Sequence, residues 1–213
     1  MKRLLSAAAL ATMASPAMAH HPLGGLPMET FAHGLASGIG HPVLGFDHLF
    51  FVLAMGIAAS FTARRATAPF AYVAAMLAGC ALAISGLTLP AAEAMIVLSL
   101  LVVGFAVARG RALSGNTALV LFAGFGLFHG AAFAGALTGQ EGGASVAVLA
   151  GYLIGLAAIQ YALALAAGYA ARGLLGGTAS TINARLAGAM VAGIGVFLGL
   201  EMAEGPILTL VTG

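Results

Sequence analysis

The stretch 41-HPVLGFDHLFFVLAMGIAASFTARR-65 places two histidines and an aspartate at the start of an apolar run that ends at paired arginines. A helix needs roughly 20 apolar residues to cross a bilayer, which is about the length of 43–62. The 213-residue chain is 62% hydrophobic, only 7% charged and has a mean hydropathy of +1.08. Soluble domains carry about 25% charged residues. The sequence therefore predicts an all-α integral membrane protein built as a helix bundle.

Apolar runs of similar length recur along the chain and predict six transmembrane helices. Their approximate bounds are 43–62, 68–87, 91–108, 117–138, 145–170 and 186–207. All the arginines beyond residue 3 fall on one side of this arrangement: Arg64, Arg65, Arg109, Arg111, Arg172 and Arg185. Short loops rich in arginine stay in the cytoplasm. We therefore expect a multi-pass protein of the bacterial inner membrane, with the mature N-terminus and the C-terminus in the periplasm.

The first nineteen residues have the pattern of a secretory signal peptide. Basic Lys2 and Arg3 precede a short apolar stretch, and 17-AMA-19 provides a cleavage site. The alternative is an uncleaved anchor helix. Cleavage would leave His20 and His21 beside a free amine in the periplasm, and these groups are good ligands for borderline divalent metals. We therefore count both histidines as candidate metal ligands.

The segment between the signal peptide and the first span predicts a short periplasmic element. Its apolar residues Phe31, Leu35 and Ile39 recur every four positions, which favours an amphipathic helix lying over the outer mouth of the bundle. Gly40 can end this helix, and Pro42 suits the first turn of the next one. The predicted organisation is thus a signal peptide (1–19), a periplasmic segment (20–42) and a six-helix transmembrane domain (43–213).

Composition also narrows the classes of function. Lys2 is the only lysine, so a retinal-type Schiff base and a phosphate-binding loop are both excluded. The arginines form no basic patch in the sequence, so nucleic acid is not an expected partner. The 31 glycines predict closely packed helices, and they permit a homo-oligomer without requiring one. Pairs with G-x-x-x-G spacing occur at Gly126/Gly130, Gly151/Gly155 and Gly195/Gly199.

Ionisable groups inside the predicted spans are few, and most lie in the outer half. They are Asp47, His48, Glu93, His129, Glu201 and Glu204. Each costs about 2.5–3.5 kcal/mol to insert, so a function is expected of them. We predict that Asp47, His48 and His129 meet at a cation site, with Glu201 as a further ligand and His41 at the entry. His41 and His48 would lie about 10 Å apart on a straight helix, so either the helix bends or the two serve successive stations.

These motifs resemble the HupE/UreJ family of small permeases associated with nickel supply to hydrogenase and urease. The stretch 41-HPVLGFDH-48 resembles its first signature, 20-HHPLGG-25 resembles its mature start, and 126-GLFHGAAFAGAL-137 resembles its second, F-H-G-x-[AV]-H-G-x-E. Phe133 and Ala136 replace the second histidine and the glutamate of that signature, as in a divergent branch. The resemblance implies nickel or cobalt uptake, and a hydrogenase, urease or cobalamin maturation system as partner.

The residues themselves require only a divalent cation with nitrogen and oxygen ligands, which suits nickel, copper, zinc or iron. Together with the resemblance, this makes Ni²⁺ the expected ion, with Co²⁺, Zn²⁺ and Cu²⁺ as alternatives. We expect a permease that needs no catalytic cofactor and is not an enzyme, driven by secondary transport or by the membrane potential. Two alternatives remain open. One is a metal-dependent intramembrane hydrolase, in which such ligands would polarise a water molecule. The other is a metal-binding sensor or accessory subunit that transports nothing.

Overall fold

A computed structural model of the protein describes residues 27–138 and 144–212, and every regular element in these two ranges is an α-helix. The proposed signal peptide, His20 and His21 lie outside the described residues. The helices are α1 (Phe31–Leu44), α2 (Phe46–Ser60), α3 (Thr67–Ile84), α4 (Ala92–Ala108), α5 (Gly115–Thr138), α6 (Val146–Leu174) and α7 (Ile182–Thr212). The all-α prediction is therefore confirmed for the described part of the chain.

Four of these helices, α3, α5, α6 and α7, are long and apolar enough to cross a bilayer. The pair α1 and α2 passes the same test only when both are taken together as one bent span, which would make five. Helix α4 is apolar but has 17 residues, or about 25 Å of helix. The helices coincide with five of the six predicted spans, whereas the first predicted span differs from its helices.

The predicted end of the first helix and the predicted position of Pro42 are both wrong. Gly40 does not end a helix, and Pro42 lies inside the last turn of α1 instead of the first turn of α2. The break falls at Gly45, where the backbone is extended and the two helix axes turn by 78°. Pro42 contributes because it cannot donate a hydrogen bond to the preceding turn.

Glycine is needed at this corner because the space beside its α-carbon is already filled. A Cβ atom on Gly45 would lie 3.0 Å from Cδ2 of His48, 3.1 Å from the carbonyl oxygen of His41 and 3.3 Å from Oδ1 of Asp47. Such distances are shorter than ordinary van der Waals contacts. The corner therefore packs three polar residues tightly around one glycine.

Helix α1 does not lie over the mouth of the bundle as predicted but packs lengthwise against α6. A Cβ on Gly34 would lie 2.2 Å from the carbonyl oxygen of Val148, and one on Gly38 would lie 2.1 Å from that of Tyr152. At the other end of the pair, Ser60 in α2 contacts Gly168. From Val148 to Gly168 is about 30 Å of helix, so α1 and α2 together follow α6 across a bilayer's thickness.

The remaining helices pair in directions that fit a chain whose successive spans cross the membrane in opposite directions. Helices α3 and α5 run parallel, because Gly126 packs on Tyr72 while Gly130 packs on Met76. Helices α4 and α7 run antiparallel, since residues 104 and 97 of α4 lie opposite residues 192 and 199 of α7. The G-x-x-x-G pairs thus make close contacts within the chain, which confirms their interpretation as sites of tight packing.

The arginines gather at one end of the bundle, which we call the arginine end. Arg64 donates to the side chain of Asn116 at the start of α5, and Arg185 donates to the carbonyl oxygen of Ala108 at the end of α4. Arg65 and Arg172 line one cavity there. Arg111 and Arg109 follow α4 at the same end. The common placement agrees with the loop assignment made from the sequence.

The glycine contacts predict opposite effects for the same substitution at two sites. Gly38→Ala should lower the free energy of unfolding by about 1–3 kcal/mol, because its Cβ would collide with a backbone carbonyl of α6. Gly124→Ala should be neutral or stabilise by up to about 1 kcal/mol, because a Cβ there meets nothing within 4 Å and alanine favours helix. Thermal unfolding in detergent micelles measures both, and equal effects would contradict the close packing of α1 on α6.

Candidate functional site

Two histidines from different helices are in direct contact near the middle of the bundle. Nδ1 of His48 in α2 lies 3.1 Å from Nδ1 of His129 in α5. Both side chains are buried, with 6% of His48 and 0% of His129 exposed. The imidazoles therefore meet, as the sequence predicts, away from any surface that lipid or water could reach directly.

Ser99 in α4 fixes the proton of His129. Its hydroxyl oxygen lies 2.6 Å from the carbonyl oxygen of Ile96 and 3.0 Å from Nε2 of His129. The hydroxyl donates its only hydrogen to the carbonyl, so it accepts the N–H of Nε2. Nδ1 of His129 then carries the lone pair, and it faces His48. A hydrogen bond to the other ring nitrogen is the usual way in which proteins orient a metal-binding histidine.

The corner at Gly45 brings His41 towards the same place. The ring centroids of His41 and His48 are 5.9 Å apart, well short of the spacing on a straight helix, so the bend is the alternative that the chain adopts. Nδ1 of His41 lies 2.9 Å from the hydroxyl of Tyr152, which donates to the carbonyl oxygen of Phe133. The tyrosine oxygen therefore accepts the proton of His41 Nδ1.

Aromatic rings enclose the histidines. Phe133 lies 4.2 Å from His48 and 5.1 Å from His41, centroid to centroid. Phe51 stacks on His129 at 4.4 Å, and Tyr72 meets the same ring edge-on at 5.7 Å. Such walls exclude water and lower the local dielectric, which strengthens any electrostatic interaction made by the imidazoles.

Three carboxylates line a cavity of about 470 Å³ at the end of the bundle opposite the arginines, which we call the acidic end. They are Asp47 of α2, Glu93 of α4 and Glu201 of α7, and apolar residues including Ile96 and Leu198 complete the wall. A cleft lined by one sign of charge raises the local concentration of counter-ions. Glu93 thus belongs to this cavity, whereas Glu204 does not line it.

Asp47 connects the cavity to the histidine pair. Its Oδ2 lies 3.9 Å from Nε2 of His48, and its side chain is about one-third exposed (34%). Across residues 27–138 and 144–212, no three His, Cys, Asp or Glu side chains converge closely enough to hold a metal ion. Glu201 therefore shares the cavity with Asp47 without joining the two histidines, and the ligand set predicted from the sequence stays a prediction.

The spacing of the two imidazole nitrogens nevertheless matches a shared ion. Metal–nitrogen bonds of 2.0–2.1 Å at right angles or tetrahedral angles separate the nitrogens by about 2.8–3.4 Å. The observed separation between His48 and His129 is 3.1 Å.

Two residues of this site, Ser99 and Tyr152, were missed from the sequence, and a third, Glu93, was recognised without being placed. Ser99 is an isolated serine in the apolar run 94-AMIVLSLLVVG-104, and its signal was only that it interrupts the run. Tyr152 gave no signal, because tyrosine is common in membrane helices. Glu93 was recognised as an ionisable residue of the third span, but its depth alone did not place it in the same cavity as Asp47.

The comparisons with known proteins agree with the motifs. The family model described as "HupE / UreJ protein" matches residues 8–198. A relative called "Protein HupE" from Rhizobium leguminosarum bv. viciae is 33% identical over 123 residues, which cover 57% of this chain and 62% of the relative. The matched part is thus less than two thirds of the relative's length. No solved structure matches the chain significantly. Because the family model covers most of the sequence, the chain belongs to the HupE/UreJ family.

Proposed function

We propose that the protein is an inner-membrane permease that takes up a divalent transition-metal cation, Ni²⁺ or Co²⁺, from the periplasm. The observation that carries the proposal is the direct contact between His48 and His129. Membership in a family related to nickel and cobalt supply supports the choice of metals. In this proposal the acidic end faces the periplasm, the arginine end faces the cytoplasm, and α4 and the bent α1–α2 pair each count as one of six crossings.

The acidic cavity is the place where the ion is collected. The carboxylates of Asp47, Glu93 and Glu201 attract a dication into a cleft that is otherwise walled by apolar side chains. His20 and His21, which lie outside the described residues, are proposed to assist from the mature N-terminus. Three carboxylates around a wide cavity hold a hydrated ion loosely, which suits capture better than storage.

The histidine pair is the place where the ion loses water. Without an ion, His48 donates its Nδ1 hydrogen to the lone pair on His129. Binding requires lone pairs on both nitrogens, so His48 must carry its proton on Nε2 instead. The carboxylate of Asp47, 3.9 Å from that nitrogen, is positioned to stabilise the Nε2–H form. His41 is proposed to complete the passage between cavity and pair.

On the far side, the way to the arginine end is closed by aromatic rings. Phe51 and Tyr72 cover His129, and the hydroxyl of Tyr72 donates to the side-chain oxygen of Gln160 at 2.7 Å. Gln160 is itself fully buried. We propose that this hydrogen bond opens when the ion leaves towards the cytoplasm, which gives the alternating access that transport requires.

The membrane potential is sufficient to drive accumulation. An inside-negative potential of 100 mV contributes about 2.3 kcal/mol per charge, hence about 4.6 kcal/mol for a dication. This free energy supports roughly a thousandfold concentration ratio. The same site is also compatible with coupling to protons.

The geometry favours a permease over the alternatives. Catalytic zinc sites hold the metal with three protein ligands and leave one position for water. In the described ranges, no group of three His, Cys, Asp or Glu side chains could hold a metal in this way. A two-nitrogen clamp between a collecting cavity and a closed aromatic barrier suits transient binding, because conduction needs an ion to leave as well as to enter.

The first prediction concerns uptake itself. Proteoliposomes with an inside-negative potassium diffusion potential should accumulate radioactive ⁶³Ni²⁺ or ⁵⁷Co²⁺. His48→Ala and His129→Ala should each reduce the rate to that of empty vesicles, since one imidazole cannot replace the clamp. His33→Ala should transport normally, because His33 lies half-buried at the start of α1, away from the histidine pair, and accepts a hydrogen bond from the backbone of Glu29. Wild-type uptake no faster than that of empty vesicles would refute the permease. Metal binding without uptake would indicate the sensor, and turnover of peptide or lipid the hydrolase.

The second prediction tests the role of Ser99. Ser99→Ala should weaken metal binding by roughly 10–100-fold, because His129 would lose the acceptor that keeps its Nδ1 lone pair facing His48. Ser85→Ala is the matched control, since Ser85 also donates to the carbonyl three residues earlier but contacts no histidine. Isothermal titration with Ni²⁺ measures both, and equal affinities for the two variants would show that the serine bond does not matter.

The third prediction uses the residue that departs from the family signature. Phe133→His should add a third imidazole beside His48 and His41. We expect Ni²⁺ affinity to rise on the order of tenfold, as another nitrogen ligand becomes available, and the uptake rate to fall because release is slower. Phe70→His adds an imidazole on the exposed surface and should change neither quantity. An unchanged affinity in Phe133→His would place the ion elsewhere.

A further inference from the structure

Positive and negative side chains are segregated along the bundle. The described carboxylates, Glu29, Asp47, Glu93, Glu201 and Glu204, belong to the segments at the acidic end. Within 27–138 and 144–212, the one ion pair within 4.0 Å joins Asp47 to His48, so no described arginine has a carboxylate partner. The arginine end thus carries a concentration of positive charge that the described part of the chain does not neutralise.

Two of these arginines face a cavity. Arg65, just before α3, and Arg172, near the end of α6, line a cavity of about 640 Å³ together with Ser60. By contrast, Arg64 and Arg185 are engaged with Asn116 and a backbone carbonyl. Guanidinium groups present forks of N–H donors that fit phosphate oxygens. The Ser60 hydroxyl donates its hydrogen to the carbonyl oxygen of Ile57, so the two guanidinium groups supply the donors at this cavity.

The other walls of the cavity are apolar and continue onto the outer surface of the bundle. Leu165 and Tyr169 line it, and their side chains are 37% and 86% exposed. On α3, the side chain of Phe70 is 60% exposed and adds to this apolar surface. A free phosphate ion needs no such wall, whereas a lipid with its phosphate between the arginines would lay its acyl chains along these side chains.

From this combination we infer that the cavity between α2, α3 and α6 binds the phosphate headgroup of an anionic phospholipid from the leaflet at the arginine end. The guanidinium groups of Arg65 and Arg172 hold the phosphate, and Leu165 and Tyr169 contact the glycerol and the first methylene groups. Basic sites between membrane helices on the cytoplasmic side are suited to such headgroups. This site is separate from the histidine pair and does not depend on the metal.

The test compares lipid retention by full-length protein reconstituted in phosphatidylglycerol or phosphatidylcholine and then analysed by native mass spectrometry. Wild type should retain phosphatidylglycerol selectively. R65Q/R172Q should retain it on the order of tenfold less. The control R109Q/R111Q removes the same charge at the same end outside this cavity and should retain it as wild type does. An equal loss of phosphatidylglycerol in both double variants would mean that only the general surface charge matters, and it would overturn the proposal.

A second variant blocks the cavity while keeping the arginines. A Cβ on Gly173, which lines the cavity, meets nothing within 4 Å. Gly173→Phe should therefore fold normally and exclude the lipid. Gly193→Phe, equally open and in α7, is its control and should retain the lipid. Retention by Gly173→Phe equal to that of Gly193→Phe overturns the proposal. So does stabilisation of protein in phosphatidylcholine by inorganic phosphate as strong as that by phosphatidylglycerol, because the ligand would then be the free anion.

Discussion

The contact between His48 and His129 is the constraint on which the rest of the structure depends. Two polar rings can be buried in a membrane bundle only if their nitrogens find partners, and here they find each other and Ser99. That requirement fixes α2, α4 and α5 around one point. It also fixes the level at which the bundle changes from a wide acidic cavity to a closed aromatic wall.

Glycine makes this arrangement possible by letting backbones approach. Van der Waals packing, not burial from water, holds helices together in lipid, and close approach multiplies such contacts. Gly34 and Gly38 seat α1 on α6, and Gly126 and Gly130 seat α5 on α3. The first pair positions His41, and the second positions His129. The glycines therefore determine where the few polar residues of the chain lie.

Much of the fold could be predicted from the sequence because long apolar runs identify helices that need no tertiary context. The broken first span could not, since Pro42 and Gly45 are equally consistent with a helix start and with a corner, and only the contacts with α6 decide. The meeting of His48 and His129 was predicted because ionisable side chains are so scarce in the spans, although their predicted depths differed. The role of Ser99 could not be predicted, because it depends on the carbonyl oxygen of Ile96 and the imidazole of His129 that contact its hydroxyl only in the folded structure.

The separation of carboxylates and arginines to opposite ends has a consequence for the protein as a charged body. It gives the bundle a permanent electric dipole moment along its long axis. In a cell whose interior is negative, the orientation of this dipole with the arginines inside has the lowest electrostatic energy. The resting field therefore reinforces the orientation set during insertion, and the same moment opposes any motion that would carry the arginines into the bilayer.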